Sequence, residues 1–453
     1  MANDLAEFCH NFKDMFICHR KDNSTTAHQY LCGLFQADRS NMERMEEKVA
    51  DSDYESLQQF ISNSPWNARS VMNRVAEESD KLIGGTGMTG LLIDESAFAK
   101  KGKASVGVGR QWNGRLGKTD NSQVAVFGVL SAGERAIPVD VELFLPSEWT
   151  DDRKRCEKSG VPEDRREHKT KPELGMRIVK RQRELGTRFD FVCGDGLYGN
   201  SMKFCTELDD NGEIFLVHVH ADKLIYLDDP KPVVPPRSSS RGRTPVNLKA
   251  QTPAIRVDHF FKQLSPEEFE KVTVRKTSTG DLTINAYRRK VWIWDEKEES
   301  ARTWTLFIRQ EIASPDEIKY CLTNVAEEVS VLMIARMEAQ RFWIERSFED
   351  AKSQAGMADY QIRGWRAWHH HMALVMMAML FMTKQRMMYE NDHPLLSCYD
   401  IKVMLAHFLP RKDITANEVL RQMEIRHAKR RAVLQNSRKR KDEQISQAAF
   451  LLI

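Results

Sequence analysis

Two aspartates close short apolar runs. Asp94 follows Leu91-Leu92-Ile93, and Asp195 stands in Gly194-Asp195-Gly196 after Phe189–Cys193. Each sits just past the C-terminal end of a predicted strand, and in a mixed sheet such ends can lie side by side. Carboxylates gathered there make an all-oxygen site for Mg2+ or Mn2+. Two such ions, about 3.5–4 Å apart, activate a water and stabilise the leaving oxygen of a phosphodiester. A lone strand-end Asp is more ordinarily a turn or cap residue, so the residues alone leave both readings open.

A third carboxylate is expected from a helix over 324–356. Positions four and seven apart share a helix face, so Arg341, Glu345 and Lys352 line one stripe, with Glu349 nearby. Seven residues are close to two turns, so Glu338, Glu345 and Lys352 align within about 20°. A carboxylate between an Arg and a Lys suits a site that holds metal and phosphate together; an exposed salt-bridged helix has the same composition. Phe342, Ile344 and Phe348 make the helix amphipathic, so it docks on something.

These residues need elements to hold them. Residues 1–82 read as helical, with Ser64-Pro65 as a helix start and Trp66, Val71 and Val75 turned inward. The two helices meeting at Asn63-Ser64 are either a DNA-binding helix-turn-helix or a plain helical cap. Gly84–Gly90 lacks a following G-K-[ST] and reads as a linker. Over 83–228 the order is strand (91–93), strand (124–130), strand (136–145), helix (171–185), strand (189–193), helix (201–208), strand (213–219). That order predicts an α/β fold with a mixed sheet flanked by helices. Residues 229–323 open with a basic Pro/Ser-rich loop that includes Ser238–Ser240, Arg237, Arg241 and Arg243, then a small β insertion. Residues 324–390 hold the Glu345 helix and a Met-rich core helix over 365–389. Residues 391–453 form a basic helical tail, with eight Lys or Arg between Arg426 and Lys441; a solvated face and a DNA-backbone contact are both consistent with it.

Composition narrows the class. The chain has 453 residues, 41% hydrophobic and 29% charged, with a net charge of +3. This is globular rather than disordered. The longest apolar run, Met372–Met382, has eleven residues, against ~20 for a membrane span. No signal core or disulfide framework is evident, so a cytoplasmic protein with reduced cysteines is expected. Cys9, Cys18, His28 and Cys32 lack zinc-like spacing.

Together these segments resemble the DDE transposases of bacterial insertion sequences, in the group whose last helix carries Tyr-x-x-Arg-x-x-x-Glu-x-x-x-x-x-x-Lys, and within it insertion-sequence family seven hundred and one, an offshoot of family four. The resemblance rests on Ser64-Pro65-Trp66, Leu92–Ser96, Gly107–Trp112, Cys193–Gly199, Arg341–Lys352 and Arg363–His371. It implies an RNase H-like core, catalytic and metal-binding roles for Asp94, Asp195 and Glu345, and DNA contacts from Arg341 and Lys352. It also implies Mg2+, for which Mn2+ substitutes, double-stranded DNA partners (terminal inverted repeats and target), a homodimer in the synaptic complex, and cut-and-paste transposition, including a route through hairpin ends. The signature Tyr falls on Glu338, which would repel a DNA backbone. Lys100, Lys101, Lys103, Arg110, Arg115 and Lys118 follow the first Asp in a basic hairpin loop, a candidate phosphate contact. In relatives a Trp of the β insertion stacks on a flipped base, which makes Trp292, Trp294 and Trp304 candidates; core packing is the alternative for each. His369–His371 point to different helix faces and read as ordinary histidines. The other function classes are a domesticated nuclease or DNA-binding regulator, and a metal-binding regulator using the N-terminal Cys and His; terminal repeats in the flanking DNA would separate the first from transposition.

Overall fold

The computed structural model describes residues 1–237, 245–277 and 280–450, with side chains through 438. Ser238–Ser240, Arg241, Arg243 and the end of the basic tail, Lys439–Lys441, therefore lie outside the described residues or side chains. Ten strands form one mixed sheet: β1 Gly90–Ala99, β2 Gly109–Asn113, β3 Lys118–Ala132, β4 Arg135–Leu143, β5 Phe191–Gly194, β6 Phe215–Val219, β7 Glu270–Thr277, β8 Gly280–Ile293, β9 Arg302–Glu311 and β10 Ile318–Thr323. The order is β7-β8-β9-β10-β6-β5-β1-β3-β2, with β4 also on the outer edge of β3. Among the described residues only β1–β5 and β5–β6 are parallel. These pairings need helical crossovers, because a parallel return cannot be made by a tight turn.

The β segment over 270–323 is not a separate insertion. β10 pairs with β6 from Tyr320↔Val219 to Thr323↔Leu216, so its strands extend the central sheet. Within that segment Gly280–Ile293 is one strand, β8, whose ladder with β9 runs unbroken from Ile284↔Glu311 to Ile293↔Arg302. Arg288, Arg289 and Lys290 are all exposed there, so three consecutive cations interrupt the apolar pattern without interrupting the strand.

Five helices precede β1: α1 Ala2–His10, α2 Ser24–Gln36, α3 Met42–Glu46, α4 Tyr54–Ser62 and α5 Ala68–Ile83. The expected start at Ser64-Pro65 moves to Asn67, whose side chain accepts from the amides of Arg69 and Ser70. Between β4 and β7 come α6 Lys171–Glu184 and α7 Met202–Asp210; α6 opens with a Thr170/Glu173 capping box. After β10 come α8 Val331–Gln340, α9 Phe342–Gln354, α10 Trp365–Met388, α11 Cys398–Phe408 and α12 Ala416–Phe450. The buried α10 packs against α2, α4, α5 and β4, so the N-terminal helices share one hydrophobic core with the sheet. No helix among the described residues is long and apolar enough to cross a membrane.

The single helix expected over 324–356 is broken. Residues 324–330 are irregular, and α8 and α9 meet at Arg341. Its amide bonds Glu338 O, and its carbonyl accepts from Ile344, both over three residues. This tighter turn breaks the i→i+4 ladder between the helices. Glu338 and Glu345 consequently do not share a face: Glu338 is buried and Glu345 is exposed.

Candidate active site

Strand alternation sorts the residues around Asp94. β1 does not end there but continues to Ala99; what ends is its parallel ladder with β5, whose last pair is Ile93↔Gly194. Asp94 and Asp195 are the next residues on the two chains, near enough for Asp195 to help raise the Asp94 carboxyl. Gly128 and Gly175 lie close to Ile178 and Ile93, respectively, which places Ile93 toward α6. Asp94 therefore faces the opposite side, where Phe127 meets Phe348 of α9. The next residue, Glu95, turns back to α6, where Lys171 Nζ lies 2.8 Å from its carboxylate and the Tyr198 hydroxyl donates to it at 3.4 Å.

The glycines around Asp195 hold the chain close to its neighbours. A Cβ on Gly199 would sit 1.9 Å from His218 O, and one on Gly194 would sit 2.9 Å from Tyr198 Cβ. Asp195 itself is extended and accepts from the Leu197 amide at 2.9 Å. Asp94 accepts from the Glu95 amide at 2.7 Å.

Arg341, at the α8–α9 break, reaches into this group. Its guanidinium lies 3.5 Å from Asp94 and 3.1 Å from Glu345. Burial opposes its charge, but Asp94, Asp195 and Glu345 outweigh burial and raise its pKa. Burial also raises the Asp94 carboxyl, to about 7; Arg341 opposes this shift, and Asp195 and Glu95 add to it. The group is short of positive charge. Carboxylate oxygens are the donor type that a hard divalent cation takes, but among the described residues the three do not close on one point: Glu345 meets Asp94 only through Arg341. Glu345 is 62% exposed and Glu349 points to Arg346 instead, at 3.0 Å. Asp350 is buried and carries its ion pair to Arg346 at 3.4 Å.

The remaining candidates divide. Lys352 is half-buried near the Phe98 ring, and burial lowers its pKa, with Arg115 adding and Asp94 opposing. Lys101, Lys103 and Arg110 are exposed. Lys100 is not a solvated loop cation: its Nζ lies 3.3 Å from the centroid of the Tyr360 ring, and burial lowers its pKa to about 7. Residues 109–113 of the expected loop are strand β2, which carries Trp112, 58% exposed. Trp304 is 2% exposed, packed edge-on against Phe215 and bonded to Asp209, so it is a core residue. Trp294 is half-buried and donates to Glu298 O; Trp292 is half-buried on β8.

Glu338 does not face a DNA backbone. It is buried between His218, at 3.1 Å, and Arg309. Burial would raise its carboxyl, but His218 and Arg309 hold it down at about 2. The three consecutive histidines have separate partners: Trp365 O for His369, Ile61 O and Trp66 O for His370, and the Tyr30 hydroxyl for His371. Roles for Glu95, Lys171 and Tyr198 escaped the sequence reading, although the alternation of β1 signals that Glu95 and Asp94 face opposite ways.

A sequence profile described as DDE superfamily endonuclease matches residues 8–281, a span that contains Asp94 and Asp195 and stops before Glu345. The chain is 24% identical over 365 residues to a protein of Microchaete diplosiphon named "Probable transposase for insertion sequence element IS701"; the match covers 79% of this chain and 81% of that protein. Among solved structures, a piggyBac transposase synaptic complex with hairpin DNA aligns over 92% of this chain and 77% of that chain, at 10% identity and a TM-score of 0.41.

Proposed function

This chain belongs to the DDE superfamily of endonucleases, and from that premise we propose that it is the transposase of an insertion sequence. It binds the ends of its element, cleaves the phosphodiester backbone and joins the freed 3′-hydroxyls to target DNA. The observation that carries this reading is the placement of Asp94 and Asp195 at the end of one parallel strand pair, on the face where Arg341 links Asp94 to Glu345. The sheet order β4-β3-β1-β5-β6, antiparallel on one side of β1 and parallel on the other, supports an RNase H-like core.

Asp94, Asp195 and Glu345 would hold Mg2+ or Mn2+, which when bound supplies Lewis acidity to the attacking and leaving oxygens. Arg341 and Lys352 bind the phosphate backbone beside that group. Arg341 also keeps Asp94 and Glu345 from repelling each other in the free chain. Glu95, held by Lys171 and Tyr198, fixes β1 against α6 and so sets the orientation of Asp94. Exposed Lys101, Lys103 and Arg110 extend the basic surface along the duplex, and half-buried Trp292 and Trp294 stay candidates for base stacking. The assembly is a homodimer with one active site per DNA end, working in the cytoplasm by a cut-and-paste route.

The test is Asp195→Asn with Mg2+ and DNA from the flanks of the gene. End cleavage should be lost while DNA binding persists, because affinity comes mainly from Lys and Arg contacts to phosphates. Normal cleavage by the variant would remove Asp195 from the metal site.

A further inference from the structure

Beside Arg341 and Glu345 lies a cavity of about 230 Å³, lined in part by Arg275 of β7, Arg309 of β9, Lys319 of β10 and Phe342 of α9. None of the first three belongs to the carboxylate group described above. Arg309 is 6% exposed and fixed by carboxylates: it pairs with Glu338 and with Glu311, the latter at 2.5 Å. Arg275 lies over the rings of Phe342 and Trp343, 5.0 and 5.2 Å from their centroids. That contact holds its guanidinium without using its donors. Among the described residues, neither Arg275 nor Lys319 pairs with a carboxylate; Arg275 makes one long bond, 3.5 Å, to Lys276 O.

Arg309 and Arg341 spend their Nη groups on carboxylates, whereas, among the described residues, Arg275 and Lys319 face the cavity without one. The Nε–H groups of Arg275, Arg309 and Arg341 are all buried and have no hydrogen-bond partner. Buried donors in native proteins nearly always find an acceptor, and leaving a charged one unsatisfied is costly. Four cations around one cavity, of which Arg275 and Lys319 have no carboxylate partner among the described residues, point to an acceptor that arrives from outside. It must be anionic and carry several oxygens, which describes a phosphate group, the ligand that guanidinium geometry matches.

We propose that this cavity is a phosphate subsite that seats one phosphodiester of the DNA strand lying across Asp94, Asp195 and Glu345. The assignment rests on the function proposed above. It gives Glu338 a role where the family signature has Tyr: Glu338 is a positioning residue that holds Arg309 in the cavity wall, and it does not meet the DNA itself. Arg275 and Lys319 are the accessible partners of the phosphate. Arg309 is unsuited to mutation, since removing it would strand Glu338 as a buried unpaired charge.

The experiment measures binding of the full chain to a duplex from the DNA flanking its gene, by fluorescence anisotropy without divalent metal. Wild type is compared with Arg275→Gln and Lys319→Gln, and a methylphosphonate replaces one phosphate at a time around the cut position. Each variant should bind the unmodified duplex about tenfold more weakly, and its salt dependence should fall by about one phosphate contact. At one position the neutral linkage should weaken wild type about tenfold and leave Arg275→Gln no weaker than before. If both variants match wild type in affinity and in sensitivity to every neutral linkage, the subsite is wrong while the nuclease reading stands. If wild type does not bind the duplex at all, both readings fall. Inorganic phosphate gives a second arm: raising the thermal midpoint of wild type but not of Arg275→Gln would support a phosphate site, and shifting both equally would place phosphate elsewhere.

Discussion

Two carboxylates of this molecule, Asp94 and Asp140, are both largely buried, with side chains 13% and 0% exposed, and their surroundings are built in opposite ways. On β4, Asp140 and Glu142 lie beneath Arg69, Arg165, Arg177 and Arg181. Arg181 alone spans both acids, with Nε 2.7 Å and Nη2 2.9 Å from Asp140 and Nη1 2.7 Å from Glu142. Near the end of the parallel ladder, Asp94, Asp195 and Glu345 share mainly Arg341. Burial pushes Asp140, Glu142 and Asp94 toward the protonated form. At Asp140, Arg69 and Arg181 overcome it and hold the carboxyl at about 2; at Asp94 burial prevails and the carboxyl rises to about 7. The number of facing cations, rather than depth, decides the sign. The saturated cluster ties α5 and α6 to the sheet, while Asp94 keeps a raised carboxyl beside its one close cation, Arg341.

The comparison breaks most visibly in catalysis. Glu345 is mostly exposed, so Glu345→Gln should leave stability nearly unchanged and lower single-turnover end cleavage by at least about a thousandfold, the equivalent of several kcal/mol of charge stabilisation. Glu349→Gln, one turn on and directed to Arg346, should retain clear activity. The two variants are to be compared at equal DNA occupancy. An active Glu345→Gln beside a dead Glu349→Gln would move the third carboxylate by a turn and undo the pairing with Arg341.

The saturated cluster should fail in stability instead. Arg181→Met removes the cation that spans both acids and leaves Asp140 and Glu142 buried with fewer partners, at a cost of about 3 kcal/mol. Denaturant unfolding measures it, and cleavage per folded molecule should be preserved. In wild type the depressed Asp140 contributes stability that is present above its unfolded pKa and is lost as pH falls from about 4 toward about 2. Arg181→Met should flatten that acid limb. Unchanged stability would mean that Arg69 and Arg165 suffice.

The neighbouring positions of Asp94 and Asp195 were legible because strand ends and glycines carry local signals. Asp94 and Asp195 follow apolar runs, and their neighbours on the sheet follow from the strand–helix order. What was not legible depends on distant partners. The β10–β6 pairing that joins 270–323 to the central sheet links residues about a hundred apart in the chain, and nothing in either strand announces it. Trp304 in an alternating strand looks the same whether its ring meets Phe215 or solvent. The break at Arg341 contains neither Gly nor Pro. Glu338 shares a sequence stripe with Glu345, yet its partners His218 and Arg309 lie 120 and 29 residues away. Periodicity reports which face a residue shares, not what stands opposite that face.

The smallest effect is also the sharpest test of the contrast, because its sign is opposite in the two clusters. The folded pKa of Asp94, about 7, lies above its unfolded value of about 3.9. The folded chain therefore binds more protons between those values. Its metal-free stability is greatest below the unfolded pKa and declines as pH rises through about 7. Asp94→Asn removes that titration. In the presence of a chelator the variant should be more stable than wild type at about pH 8, by on the order of 2 kcal/mol, and the difference should vanish near pH 4. Mn2+ should then stabilise wild type at the higher pH, by mass action, and raise the melting temperature of the variant less. Thermal denaturation across pH, with chelator and with Mn2+, reads all three quantities. A variant less stable than wild type at about pH 8 would mean that Arg341 already satisfies Asp94, and that this cluster is as saturated as the one on β4.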